Sequence, residues 1–398
     1  MKRKKFLFFL IMLSNLILSG CWDSREINRL AITIGMGIDK TDNGYILSQQ
    51  ILNPRSIFGK RPTTESPIVV YSEEGKDLFE LKRKITTHSP RKIFNSHLRI
   101  VVLGEAAATA GIEDILDFLL RGHEYRTDYY FAIAKGNTAK NILSTLTPLE
   151  TIPGIELFNS LTVAENVWAP VKTMKIIELS NSIISEGINP VITGLEITSG
   201  NGNPNSIESL KLSEQTDRLK FTSLGAFKKD KLVGWLSEDQ SKGYNYIVGN
   251  VKNTVGYVEY QKQNKVTFEV TNAESKIKAS LLNDKPVINV DIKIETDVGV
   301  STGDLDVSKE ENIDKLSKII ESRITNFCYS SIDKTKNDFK TDIFGFGEAI
   351  HRSYPNLWEQ IKGDWDNKFV NLPVNITVKA KINKLGQITK PLITKGNE

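Results

Sequence analysis

The sequence predicts an α+β fold: two or three mixed domains, mainly antiparallel sheets flanked by helices, behind a cleaved signal peptide. Three observations predict it. Short segments that alternate apolar and polar residues occur in pairs around turn residues, as hairpins require. Stretches with apolar residues at helical spacing fall between them in clusters rather than in strict strand–helix alternation. Near the middle of the chain, residues 199–206 read Ser-Gly-Asn-Gly-Asn-Pro-Asn-Ser, a strong linker composition. A chain of 398 residues is also long enough for more than one core.

The elements begin with an export segment. Lys2, Arg3, Lys4 and Lys5 form a basic cluster, and no acidic residue precedes Asp23. The apolar run from Phe6 to Leu18, broken at Ser14 and Asn15, is 13 residues long. A membrane-spanning helix needs about 20. A basic start, a short apolar core and then small residues is the layout of a secretory signal over residues 1–20. Leu18-Ser19-Gly20-Cys21 is similar to a lipobox, with the thiol placed to take diacylglycerol as a thioether after cleavage before Cys21. An N-acyl chain on the new amino terminus can follow. The alternative is an ordinary signal followed by an unmodified cysteine. Two acyl chains suffice for stable attachment, because each buried methylene contributes about 0.8 kcal/mol.

Residues 21–198 are expected to form an N-terminal α+β region. Leu30–Ile38 and Tyr45–Leu52 flank Asp42-Asn43-Gly44 as a hairpin. Residues 53–67, with Pro54, Pro62 and Pro67, read as a loop before a short strand at Ile68–Tyr71. Leu78, Leu81 and Ile85 mark a helix that ends at Ser89-Pro90. A strand at His97–Leu103 precedes two short helices around Gly111, and Tyr129–Ala134 is the next strand. Asn137 is expected to cap a helix running through Leu146. Helices around 153–166 and 172–185 lead to a strand at Pro190–Ile197.

A linker and domain boundary are expected within 199–220, and residues 221–398 form the second α+β region. It opens with a hairpin, Leu224–Phe227 and Leu232–Trp235, and continues as a meander over 256–262, 265–272, 275–282 and 287–300. A long helix follows, with a capping-box pattern at Ser308 and Glu311 and an apolar stripe of Ile313, Leu316, Ile320, Ile324 and Phe327. A second helical region covers about 338–362. The chain closes on a hairpin of Pro373–Ile382 and Gln387–Ile393.

Charge and motifs exclude several function classes. The chain carries 52 basic and 48 acidic side chains. Residues 1–20 hold four basic groups and no acid, so the remainder balances at 48 against 48. That balance offers no basic stripe for nucleic acid. No P-loop, Gly-x-Ser-x-Gly elbow or His-Glu-x-x-His helix occurs. Gly35-x-Gly37 lacks a third glycine and precedes a hairpin, so it is not a dinucleotide site. His88, His97, His123 and His351 are scattered without metal-ligand spacing. No cofactor and no enzymatic activity are expected. Cys328 has no partner for a disulfide if Cys21 carries lipid, and reads as a buried thiol. One polar cluster, Arg121, His123, Glu124, Arg126 and Asp128, suits either a charged interface or an ion-pair network tying a helix end to the sheet. Tyr354-Pro355-Asn356-Leu357-Trp358, with Trp365 seven residues after Trp358, suits either an aromatic interface or, as the preferred reading, one helical face turned to the core.

Several segments, taken in order, resemble the Ger(x)C family, the lipoprotein C subunits of spore germinant receptors. They are Gly20-Cys21-Trp22-Asp23-Ser24-Arg25-Glu26-Ile27, LAITIGMGIDK (30–40), SHLRIVVLGEA (96–106), the Arg121–Arg126 cluster, GAFKKDKLVGWLS (225–237), DIFGFGEAIHRSYPNLWEQIKGDWDNKF (342–369) and PVNITVKAKINKLGQI (373–388). The resemblance implies a non-enzymatic subunit on the outer face of the spore inner membrane. Its implied partners are an integral membrane A subunit and a transporter-like B subunit, and its role is nutrient-triggered germination. It carries over one residue, Cys21, as the lipidated position. The competing expectation is a solute-binding lipoprotein that delivers a small nutrient to a transporter; such proteins are usually built from doubly wound lobes.

Overall fold

Among the described residues two sheets organise the chain, and each is explained by where its strands bury their side chains. The computed structural model describes residues 3, 4, 6, 29–58, 65–198, 205–211, 218–260, 264–301 and 309–384. The first sheet contains β1 (Leu30–Thr41), β2 (Gly44–Leu52), β3 (Ile68–Gly75), β4 (Lys92–Phe94), β5 (Ile100–Gly104), β6 (Tyr130–Ala134), β7 (Val191–Thr198), β8 (Arg218–Lys228) and β9 (Lys231–Trp235). Its order is β3-β2-β1-β5-β6-β7-β8-β9, with β4 beside the start of β1.

The flanks are antiparallel, but β1, β5, β6 and β7 run parallel through the centre. Parallel neighbours need long crossovers. Helices Glu105–Ala110 and Glu113–Arg121 connect β5 to β6, and helices at 139–144, 153–167 and 176–184 connect β6 to β7. Being covered on both faces, β5 and β6 are buried at every position. One face packs Met36, Ile38 and Phe131 against Ile115 and Leu119. The other packs Ile100, Val102 and Ala132 against Ile142 and Leu143.

Gly35 and Gly37 have a packing role. A Cβ on Gly35 would lie 2.7 Å from Leu143 Cδ2, and one on Gly37 would lie 3.1 Å from the Ala139 Cβ. The helix Ala139–Ser144 can therefore sit directly on β1. Its cap is Thr138 rather than the expected Asn137: the Thr138 hydroxyl accepts from the Asn141 amide at 3.1 Å.

The strands on either side of the segment expected to divide the chain belong to one sheet. β7 and β8 are antiparallel neighbours, with Thr198 opposite Arg218 and Val191 opposite Ala226. Residues 199–217 thus join two adjacent strands, and β8 and β9 belong to the first sheet.

The second sheet is β10 (Thr254–Tyr260), β11 (Asn264–Leu282), β12 (Lys285–Ser301) and β13 (Val374–Lys384) in sequence order. The two strands expected at 265–272 and 275–282 are one 19-residue strand. Register shifts at Val266/Phe268 and Val270/Asn272 absorb the irregularity without ending the pairing. Asn283 and Asp284, both at positive φ (50° and 59°), form the two-residue turn into β12. The helix Glu310–Lys334 covers one face of this sheet through Leu316, Ile320, Ile324, Cys328 and Ile332; Ile313 and Phe327 are half-buried. Ser308 lies outside the described residues, and Lys309 is the helix N-cap. The same helix blunts the sheet edge: the Ile376 amide donates to Tyr329 Oη at 3.3 Å and the Ala380 amide to Glu321 Oε1 at 2.9 Å. The expected closing strand at Gln387–Ile393 also lies outside the described residues.

Candidate functional site

Cys21 lies outside the described residues, whereas the charged cluster lies within them. The cluster does not converge on one point. Arg121 pairs with Asp117 one turn back on its own helix, at 2.6 Å with both side chains exposed. Glu124 reaches Lys82 at 3.1 Å and Lys92 at 3.7 Å, linking the helix Leu78–Lys84 to β4. Those two lysines pull its pKa below the usual range, against burial, which pushes it up and is the largest single influence. Asp128 pairs with Arg99 at 3.2 Å, and the Arg99 guanidinium lies 5.4 Å from the Phe158 ring centroid. Arg126 and His123 are exposed. Neighbouring charges in the sequence therefore serve separate contacts across the surface.

The histidines are also dispersed. His88 meets Glu73 at 2.5 Å, His97 packs near Phe94 and His351 stacks on Trp358. Trp358 and Trp365 are buried and meet edge to face at 5.2 Å. Among the described residues, no helix is long and apolar enough to cross a membrane.

Parallel sheets place ligands in the crevice beyond the carboxyl ends of their strands. Here the chain's own carboxylates occupy that end. Asp39, at the end of β1, is 6% exposed and accepts from the amides of Ala139 (2.8 Å) and Lys140 (3.0 Å). Glu105, following β5, accepts from the Gly136 amide at 3.0 Å and from Trp235 Nε1 at 2.7 Å. Asp39 also fills the space beside Gly104, where a Cβ would come within 2.3 Å of its Oδ1. These contacts turn the crevice into a structural joint, which weighs against a solute site there. Asp39→Ala is expected to cost about 2–4 kcal/mol by leaving one buried and one partly buried amide without an acceptor. Denaturant unfolding would measure it, and a loss below about 1 kcal/mol would contradict the assignment.

Sequence reasoning missed a second joint, where the two sheets' helices meet. Asp342 is fully buried; Oδ1 accepts from the amides of Phe344 (2.9 Å) and Gly345 (3.0 Å), and Oδ2 from that of Gly347 (2.8 Å). Its backbone carbonyl accepts from the Asn189 amide at 2.7 Å, just before β7. Around it, Ser185 donates to Glu348, Lys228 pairs with Asp366 at 2.8 Å and Lys362 with Glu186 at 3.4 Å. A signal was present in the run Asp342-Ile-Phe-Gly345, which has the form of an acidic residue opening a turn closed by glycine.

Comparison with known proteins places this architecture. A family model described as spore germination protein N-terminal domain matches residues 23–197, and one described as spore germination B3/GerAC like, C-terminal, matches residues 222–386. Among curated relatives, spore germination protein KC of Bacillus subtilis (strain 168) is 29% identical over 98% of both chains. Spore germination protein B3 of the same organism is 26% identical over 96% of this chain and 98% of that one. A solved structure described as the crystal structure of the GerBC protein aligns with a TM-score of 0.55, at 22% identity, over 87% of this chain and 96% of that chain, and shows a shared fold. The two models match in order on either side of residues 199–217, between β7 and β8 in the sequence, and the relatives align nearly from end to end: the chain belongs to the Ger(x)C family of GerAC-like spore germination proteins.

Proposed function

We propose that the chain is the lipid-anchored subunit of a spore germinant receptor, held on the outer face of the spore inner membrane by Cys21. In this reading it acts with integral membrane A and B subunits in nutrient-triggered germination and catalyses no reaction itself. The observation that carries the reading is the near end-to-end match to proteins named for spore germination. The export layout of residues 1–20 and the lipobox-like Leu18–Cys21 support the anchor. The blocked crevice at Asp39 and Glu105 favours a scaffold or contact role over solute delivery.

Cys21→Ala is expected to leave a folded chain that no longer partitions with spore membranes, and to slow nutrient-triggered germination. Fractionation, mass spectrometry of the N-terminal peptide and the germination rate would test it together. Normal germination with a wholly non-membrane variant would refute the need for anchoring. Co-purification from spore membranes without any A- or B-type subunit would refute the partnership.

A further inference from the structure

β1 begins at Leu30. The eight residues from Trp22 to Arg29 reach at most about 26–29 Å when extended. If Cys21 carries lipid, the start of β1 therefore stays close to the bilayer surface. Several segments meet at this end of the sheet: β2 finishes at Leu52, β3 starts at Ile68, and Lys92 of β4 lies opposite Leu30.

A groove of about 400 Å³ opens among these segments. Its apolar walls include Ile51, Leu52, Val69 and Tyr71, and two arginines, Arg55 and Arg91, line it. Arg55 is exposed on the short helix Pro54–Phe58. Arg91 is half-buried just before β4. The Ser89 hydroxyl accepts from the Arg91 amide at 3.3 Å and donates to the Arg91 carbonyl at 2.7 Å, fixing its backbone. Neither guanidinium forms an ion pair among the described residues. One carboxylate, Glu65, shares the lining, and it accepts from Asn53 Nδ2 at 3.4 Å.

We propose that this groove seats the phosphodiester headgroup of an anionic phospholipid, so that the anchored chain rests on the membrane by this end. The inference depends on the lipid-anchor reading of Cys21. Guanidinium groups match phosphate oxygens in a planar, two-pronged geometry and are more weakly hydrated than ammonium groups. Apolar walls beside them suit the glycerol and upper acyl carbons, and a tyrosine is at home at such an interface. The short tether supplies proximity, the arginines supply charge complementarity, and the two coincide at one end of the sheet.

The test uses the full lipidated chain carrying Val69→Cys. Val69 is 40% exposed and Cys328 is fully buried, so an environment-sensitive thiol dye reports the groove. The chain is reconstituted on vesicles of phosphatidylcholine alone or of phosphatidylcholine mixed with phosphatidylglycerol. A blue shift is expected on the anionic vesicles. It is expected to be lost in Arg55→Gln/Arg91→Gln and retained in the control Arg352→Gln. Lipidated chain with equal emission on both vesicles would overturn the headgroup seat while leaving the anchor intact. An equal shift produced by inorganic phosphate on phosphatidylcholine vesicles would overturn the lipid assignment. An unlipidated N-terminal peptide by mass spectrometry would overturn the anchor reading and this inference with it.

Discussion

Asp342→Ala is expected to destabilise the chain by roughly 3–6 kcal/mol, because three buried amides that donate to one carboxylate lose their acceptor together. The effect reaches beyond the loop. The Phe344, Gly345 and Gly347 amides shape the entry to the helix Phe346–Ser353, and that entry packs against the segment before β7. Gly187 and Gly347 approach so closely there that a Cβ on Gly347 would lie 2.7 Å from Gly187 Cα. Loss of Asp342 should therefore loosen the contact between the sheets as well as the turn.

The pH dependence has a definite sign. Burial pushes the Asp342 carboxyl up to about 7, against the three amides that pull it down. Since the folded chain binds this proton more tightly than the unfolded one, the contribution is complete below about pH 4 and is lost as pH rises through about 7. Asp342→Asn keeps an oxygen for two amides but turns an NH₂ group toward the Gly347 amide. It should cost about 1–3 kcal/mol and remove the titration. Unfolding of both forms at pH 5 and pH 8 should show the stability gap narrowing as pH rises. A gap that is constant with pH would mean that the buried carboxyl does not titrate in this window.

Much of this architecture is legible in the sequence because it is local. The turn at Asp42-Asn43-Gly44, the turn around Lys229 and Asp230, and the spacing of Leu316, Ile320 and Ile324 each report their own element. Less legible is what depends on partners distant in sequence. Nothing in Leu30–Thr41 says that its neighbours are an antiparallel β2 and a parallel β5, although the unbroken apolar runs Ile100–Leu103 and Tyr130–Ala134 hint at strands covered on both faces. Asp39 is silent for a different reason, and Asp342 signals only its own turn: their partners are backbone amides, which every residue except proline possesses. The Arg121–Asp128 segment shows its charges but not their partners. Its charges are adjacent in sequence, yet Glu124 faces Lys82 and Lys92 while Asp128 faces Arg99. Cys21 stays an expectation from its setting, the apolar run and small residues before it, because it lies outside the described residues.

Gly243→Ala is the other substitution expected to have a large effect, and its direction runs against helix propensity. Gly243 lies inside the helix Glu238–Val248, where alanine would ordinarily be favoured by about 1 kcal/mol. That helix has a complete capping box from Ser237 and Gln240, so it does not need a weak residue at its centre. The glycine is explained by what lies opposite. A Cβ at this position would come 2.0 Å from the Phe327 carbonyl oxygen and 2.9 Å from the Cys328 amide nitrogen, both backbone atoms of the long helix Glu310–Lys334. Backbone cannot rotate away as a side-chain tip can, so the two helices must separate. That separation would break a contact that also buries Tyr246 and Cys328. Overpacking should outweigh the propensity gain and leave a net loss of about 2–4 kcal/mol. Gly363→Ala is the matched control, since nothing lies within 4 Å of a Cβ there, and it should be neutral or slightly stabilising. Cys328 supplies a second readout, because it is fully buried beneath this crossing. Faster thiol labelling in Gly243→Ala, with a lower melting temperature, is the expected pair of results. An unchanged melting temperature with an unreactive Cys328 would show that the helices accommodate the methyl group without moving apart.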